Sequence, residues 1–195
     1  MVRYNAVLFF GAPQCGKGTQ AQLLARHDDY FHFSTGEELR RTLKNPITDI
    51  EKKVKESLDK GELAPDELIF KLFDESLKKY IKEREYDPES QILILDGIPR
   101  VASQVSFVNE RVIIKKIIYL DISLGVLSKR AEKRAKEEGR PEDIEPKIVT
   151  RRYEIFKEQT LPILGYYDSN LIVKIDGSKG VNEIHQNILN ALDGI

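Results

Sequence analysis

Short, unbroken apolar runs alternate along this chain with longer stretches whose apolar residues recur every three or four positions. Ala6 to Phe10 and Gln91 to Leu95 are such runs; Phe31-His32-Phe33-Ser34 reads as a second short strand, Ile113 to Leu120 holds another with Lys115 and Lys116 near its start, and Leu171 to Asp176 is the last. A strand covered on both faces has no solvent side and so shows no alternation, which reads these runs as strands of a buried parallel sheet. Ala21, Leu23, Leu24 and Ala25 follow helical spacing beyond Lys17. Glu37 to Lys44 reads as a helix broken at Asn45-Pro46. Asp49 to Lys60 is a charged helix with Ile50, Val54 and Leu58 along one side, closed by Gly61. Pro65 opens a helix to about Lys82, with Leu68, Leu72, Phe73, Leu77 and Tyr80 on one side. Leu124 to Glu138 is basic and amphipathic and is interrupted at Gly139-Arg140-Pro141. Helix resumes over Glu145 to Gln159, bends at Leu161-Pro162, and returns over Val181 to Leu192. Strand and helix alternate throughout, the order of an α/β fold with a central parallel five-stranded sheet flanked by helices. Between the second and third strands the helices exceed a simple crossover, so residues 35–65 read as a lobe inserted into a single domain, 1–195.

The first apolar run leads directly into Gly11-Ala12-Pro13-Gln14-Cys15-Gly16-Lys17-Gly18-Thr19-Gln20. A glycine-rich segment joining a buried strand to a helix lets backbone N–H groups turn inward around an anion, backed by the positive end of the helix. Gly11 and Gly16 bracket the turn, and Lys17 supplies a mobile charge for outer phosphates, the arrangement of a phosphate loop. Gly18 stands where the general motif has Ser or Thr, and the hydroxyl arrives one residue later at Thr19. Cys15 reads either as a thiol drawn toward thiolate by Lys17 and the helix start, or as a small apolar filler.

Composition narrows the class. The chain has 195 residues, 41% of them hydrophobic, enough for one domain with a substantial core. A net charge of −1 implies no general affinity for nucleic acid or membrane. One cysteine excludes an intramolecular disulfide and a multi-cysteine zinc site. No apolar run approaches the roughly 20 residues of a membrane span, and the chain enters its first strand without a signal segment. A cytoplasmic setting is expected. His27, His32 and His185 lack metal spacing and read as structural or surface residues.

The phosphate loop carries a resemblance that continues along the chain. Gly11 to Gln20 is similar to the G-x-P-G-x-G-K-G-T loop of nucleoside monophosphate kinases, with Gln14 where that pattern has glycine. Ser34 to Arg40, STGEELR, is similar to the STGDLLR turn of adenylate kinases, with Glu37 for the usual Asp. Gly61 to Ile69 resembles G-x-L-V-P-D-E-L, and Leu95 to Arg100 resembles L-D-G-[FY]-P-R, with Gln104 at the family's spacing. Gly139 to Glu145 resembles G-R-x-D-D-x-E, with Arg151 at the family's distance. Gly165 to Ser169 and Lys174 to Ile184 resemble the C-terminal part. The resemblance to adenylate kinases implies a P-loop NTPase fold with a helical monophosphate-binding lobe at 35–65 and a short lid at 134–144. Only Ala135 to Gly139 separate Arg134 from Arg140, so the longer lid insertion and its zinc are not expected.

Elementary electrostatics points the same way. Transfer between two nucleotides concentrates about six or seven negative charges in one cleft, where positioning and charge stabilisation do most of the work. Beside Lys17 the chain offers Arg40, Arg100, Arg130, Arg134, Arg140 and Arg151, whose planar forks suit phosphate. The resemblance implies that Arg40 and Arg100 hold the acceptor phosphate, together with a site built from Thr35, Gly36, Leu63, Ala64, Gly97 and Gln104. It implies that Arg134 reaches the triphosphate, that Arg140 and Arg151 meet the transferring group, and that Arg130 and Ser178 lie at ATP. From spacing alone, Arg130 and Arg134 equally suit a solvated helix flank beside Glu137 and Glu138. Asp96, at the end of a strand, suits a water of Mg2+ on ATP, or else the N-cap of a following helix.

The expected function is reversible transfer from MgATP to AMP, giving two ADP, by a monomer that needs magnesium and no other partner than nucleotides. The amide of Gln104 can pair with adenine's amino group and a ring nitrogen. Thr35 stands where pyrimidine-specific relatives tend to have alanine. The plainer reading of these two residues is that Thr35 caps the helix at Gly36–Glu37 and Gln104 faces water. A UMP/CMP kinase is one alternative function. A factor using slow ATP hydrolysis as a switch is the other.

Overall fold

A computed structural model describes residues 3–46, 48–138 and 145–195, and the side chains of all of these except 49, 50 and 133–138. Its strands are β1 (Tyr4–Gly11), β2 (Tyr30–Ser34), β3 (Ile92–Asp96), β4 (Val112–Asp121) and β5 (Ile172–Asp176). They form one sheet in the order β2-β3-β1-β4-β5, with every pairing parallel. The unbroken apolar runs are explained by two covered faces: Val7, Leu8, Leu93, Ile94, Leu95, Ile117 and Ile118 are completely buried. Burying each such aliphatic side chain is worth about 1.5–3 kcal/mol, which also fixes which strands stand in the middle. The register sets Ser34 beside Asp96 and Asp96 beside Phe9, so the carboxyl ends of β2, β3 and β1 line one edge. In open parallel sheets ligands collect at that edge.

The helices are α1 (Lys17–Leu24), α2 (Thr35–Thr42), α3 (Asp49–Asp59), α4 (Asp66–Lys82), α5 (Ser103–Arg111), α6 (Leu124–Glu138), α7 (Pro146–Ile155) and α8 (Val181–Leu192). α5 was not assigned from the sequence, and two others differ from that reading in their bounds. The turn expected at Thr35-Gly36 is the first turn of α2, because Ser34 accepts the Glu37 N–H as N-cap and starts the helix early. The helix expected to reach Gln159 leaves regular α geometry after Ile155, passing through a π-type turn at Phe156–Thr160 and a 3₁₀ segment at Leu161–Tyr166. Among the described residues, no helix is long and apolar enough to cross a membrane.

α4 is the post on which the neighbouring helices hang. On one side Glu38 of α2 is 5% exposed and accepts from Ser76 Oγ (2.6 Å) and Tyr80 Oη (2.6 Å) of α4, and from Arg41. A buried carboxylate is tolerable only with its lone pairs occupied in this way. On the other side α5 runs along α4 in three rungs. Gln104 and Ser103 donate to Asp66, the Phe107 ring stacks on Phe70 at 3.9 Å, and Arg111 makes a forked pair with Asp74 at 2.8 and 3.0 Å. The rungs fall four residues apart on each helix, the spacing of one helical face.

Candidate active site

Above the sheet edge lies a cleft of about 540 Å³ lined by the phosphate loop, the start of α2, the segment after α3, the Asp96–Arg100 segment and α7. The loop is shaped by close approach. Gly11 has φ +147°, and a Cβ there would meet Cys15 Sγ at 2.6 Å and the Leu120 carbonyl at 2.8 Å, so no side chain fits. Gln14 adopts φ +62°, a left-handed conformation that explains why glycine is the pattern residue; this chain keeps a side chain there and leaves it 9% exposed. Lys17 Nζ donates to the carbonyls of Gly11 (2.6 Å) and Ala12 (3.0 Å), so its charge is held inside the loop by backbone oxygens. Cys15 is completely buried, its Sγ 3.6 Å from Lys17 Nζ. Pro13, Gly16, Gly18, Thr19 and Gln20 also line the cleft, while Ala12 is buried behind it.

Arg130 of α6 donates from Nη1 to the Cys15 carbonyl at 2.9 Å, which draws it from the solvated flank onto the loop. The side chain of Arg134 and all of Arg140 lie outside the described residues. Ser178 sits in the turn after β5, but its hydroxyl and N–H both bond Asp176 Oδ1, and it does not line the cleft.

The opposite wall is made by side chains. Arg40 and Gly36 of α2, Leu63, Gly97 and Arg100 line the cleft, and Ala64 is buried beneath. Arg100 Nε donates to the Gly97 carbonyl at 2.9 Å. Gly97 has φ +90°, and a Cβ there would lie 2.9 Å from both Arg100 Nη2 and Thr35 Oγ1. Burial, then the Arg152 and Arg40 charges, push the Arg100 guanidinium below its ordinary value, with Asp96 opposing. So many cations in one place are costly unless an anion answers them. Thr35, 1% exposed, donates its hydroxyl proton to the Asp96 carbonyl at 2.9 Å. Gln104, 3% exposed, accepts the Arg100 N–H (2.7 Å) and donates to Asp66 Oδ1 (2.7 Å). Neither caps a helix nor faces water, and both stand behind the wall rather than lining the cleft.

Asp96 does not cap α5, whose N-cap is Ala102. Its Oδ2 faces Gly18 at the head of α1, and His32 Nε2 stands 3.8 Å away, too far for a hydrogen bond. Burial pushes the carboxyl up, but the His32 ring, Lys17 and Arg100 outweigh it and hold it below the ordinary range. An ionised carboxylate beside the phosphate loop fits a magnesium ion carried mainly by substrate phosphates and touched through water. His32, read from sequence as structural, is therefore a neighbour of the site.

One expected arginine is replaced by its neighbour. Arg151 is exposed and does not line the cleft, whereas Arg152 does. Adjacent helical residues point about 100° apart, so only one of the pair can face inward. Counting from the Gly139-Arg140 motif lands on Arg151. The signal that finds Arg152 is the face it shares with Ile148, Val149 and Phe156, partly or wholly buried residues three and four positions away.

Comparison with known proteins gives a consistent picture. The family model described as Adenylate kinase matches residues 9–172. The chain is 38% identical over 189 residues to an adenylate kinase of Prochlorococcus marinus (strain MIT 9301), covering 93% of this chain and 95% of that protein. It is 30% identical over 195 residues to one from Flavobacterium johnsoniae, covering 97% and 98%. With one from Bifidobacterium longum it shares 34% over 193 residues, covering 96% and 99%.

Proposed function

The chain belongs to the adenylate kinase family, a phosphotransferase of the nucleoside monophosphate kinase class, and on that premise we propose that it moves the terminal phosphoryl group of MgATP to AMP, giving two ADP. The observation that carries this reading is a single cleft with a phosphate loop on one wall and paired arginines on the other. In the reaction an oxygen of the acceptor phosphate forms a bond to the γ-phosphorus while the bond to the leaving ADP oxygen breaks. Backbone N–H groups at the end of the loop and the start of α1, Gly16 to Thr19, hold the donor phosphates, and Lys17 exchanges its carbonyl partners for phosphate oxygens as charge develops. Arg40 and Arg100 orient the acceptor phosphate, and Arg152, rather than Arg151, spans the transferring group. Magnesium, when bound, neutralises charge on the donor phosphates, and Asp96 would hold it through water.

On this reading residues 35–65 form the acceptor lobe and 134–144 a short lid, whose residues 139–144 lie outside the described ones. On the same reading the enzyme acts as a monomer on free nucleotides in the cytoplasm. A coupled assay with MgATP and each of AMP, CMP, UMP and GMP tests the proposal. AMP is expected to lead clearly. A lead for CMP or UMP would move the acceptor assignment, and ATP consumption independent of any monophosphate would replace transfer by a switch.

A further inference from the structure

We propose that Asp66 fixes which way round the Gln104 amide sits, and so makes the acceptor site select bases that present an amino group beside an unprotonated ring nitrogen. The inference rests on the acceptor reading above, in which Gln104 meets the base. A backbone N–H can only donate, so the atom of Gln104 facing the Arg100 N–H at 2.7 Å must be the carbonyl oxygen. An ionised carboxylate can only accept, so the atom facing Asp66 Oδ1 at 2.7 Å must be the amide nitrogen. The two partners lock the amide from both ends. Asp66 is itself held: Ser103 donates to its second oxygen, and the Phe70–Phe107 and Asp74–Arg111 rungs keep α4 and α5 in step.

The locked amide keeps one N–H and one lone pair for a ligand, in a fixed spatial order. Adenine and cytosine present an amino donor next to a ring acceptor. Guanine and uracil present a keto acceptor next to a ring N–H, the reverse order. A freely turning amide satisfies either after a half rotation, whereas a locked one satisfies only the first and leaves its own polar atoms unpaired against the second. Guanine is the informative competitor, because it matches adenine in size and differs in this order.

The test measures kcat/KM for AMP, GMP and CMP in wild type, Asp66→Ala, Asp66→Ser and Asp66→Asn. Wild type is expected to favour AMP over GMP. In Asp66→Ala the AMP-to-GMP ratio should fall about tenfold, the worth of one hydrogen bond to a charged group. The AMP-to-CMP ratio should hold, because cytosine presents its groups in adenine's order. Asp66→Ser suits a helix start but is too short to reach the amide, and should show the same fall. Asp66→Asn still offers an oxygen to the Gln104 N–H and should restore much of the ratio. The change should appear in KM for the monophosphate and leave KM for ATP in place. Equal losses for AMP and GMP in the variants, or an unchanged ratio, would overturn the inference alone. A wild type without preference for AMP over GMP would overturn it together with the adenine assignment.

Discussion

The two walls of the cleft are built from different materials. The phosphate loop is a backbone site: Gly11 and Gln14 bend the chain at positive φ, and even Lys17 is held by carbonyls. The opposite wall is a side-chain site, where Arg100 lines the cleft and Thr35 and Gln104 stand behind it, each positioned by hydrogen bonds to named partners. Behind it, Glu38 ties α2 to α4 through Ser76 and Tyr80. A backbone site tolerates most changes of side chain, provided the path of the chain survives. A side-chain site does not, because each substitution orphans a partner. The donor wall is thus suited to any nucleoside triphosphate tail, and the acceptor wall to choosing.

The contrast can be broken most sharply at its exception, Lys17, a donor-side side chain proposed to meet developing charge. Lys17→Met should fold and lose about 10²–10³ in kcat, the usual cost of removing one such donor; a folded variant with wild-type turnover would refute the loop mechanism. Next come the neighbouring arginines of α7. Arg152→Ala should lower kcat about a hundredfold through lost transition-state charge stabilisation, while Arg151→Ala, on the exposed side, leaves it nearly unchanged. The reverse order would restore Arg151 to the site. Tyr80→Phe removes one donor from buried Glu38 and should cost about 1–3 kcal/mol of stability. Thermal melts read that loss, and KM should rise for AMP but hold for ATP; a matching rise for ATP would erase the distinction between walls. The smallest effect is expected from Gln14→Gly. Relief of a left-handed side chain, about 1 kcal/mol, is partly cancelled by the freedom glycine adds to the unfolded chain. Stability should therefore change by no more than about 0.5 kcal/mol with ATP binding intact. A drop beyond about 2 kcal/mol would show the Gln14 side chain itself to be structural.

The same contrast decides what could be read in advance. The middle of the sheet was legible because strands buried on both faces, β1 and β3, leave apolar runs, and the phosphate loop because its requirements are glycines and a lysine at fixed spacing. α5 was not assigned, because Arg111 passes directly into Val112 of β4 with no Gly or Pro between them. Thr35, Arg100 and Gln104 were singled out by motif as acceptor candidates, but their partners were not. Nothing local in Asp66 or Glu38 shows that each is aimed at a residue more than 30 positions away. Arg152 was missed because a count along a loop is sensitive to a single residue, whereas the face of a helix is not.

The division of the cleft into a donor and an acceptor wall is tested most directly by titrating ATP and AMP separately into Arg100→Ala by calorimetry. Removing the guanidinium from its desolvated phosphate contact should weaken AMP by roughly 2–5 kcal/mol and leave ATP binding within error of wild type. Equal weakening of both nucleotides would contradict the division.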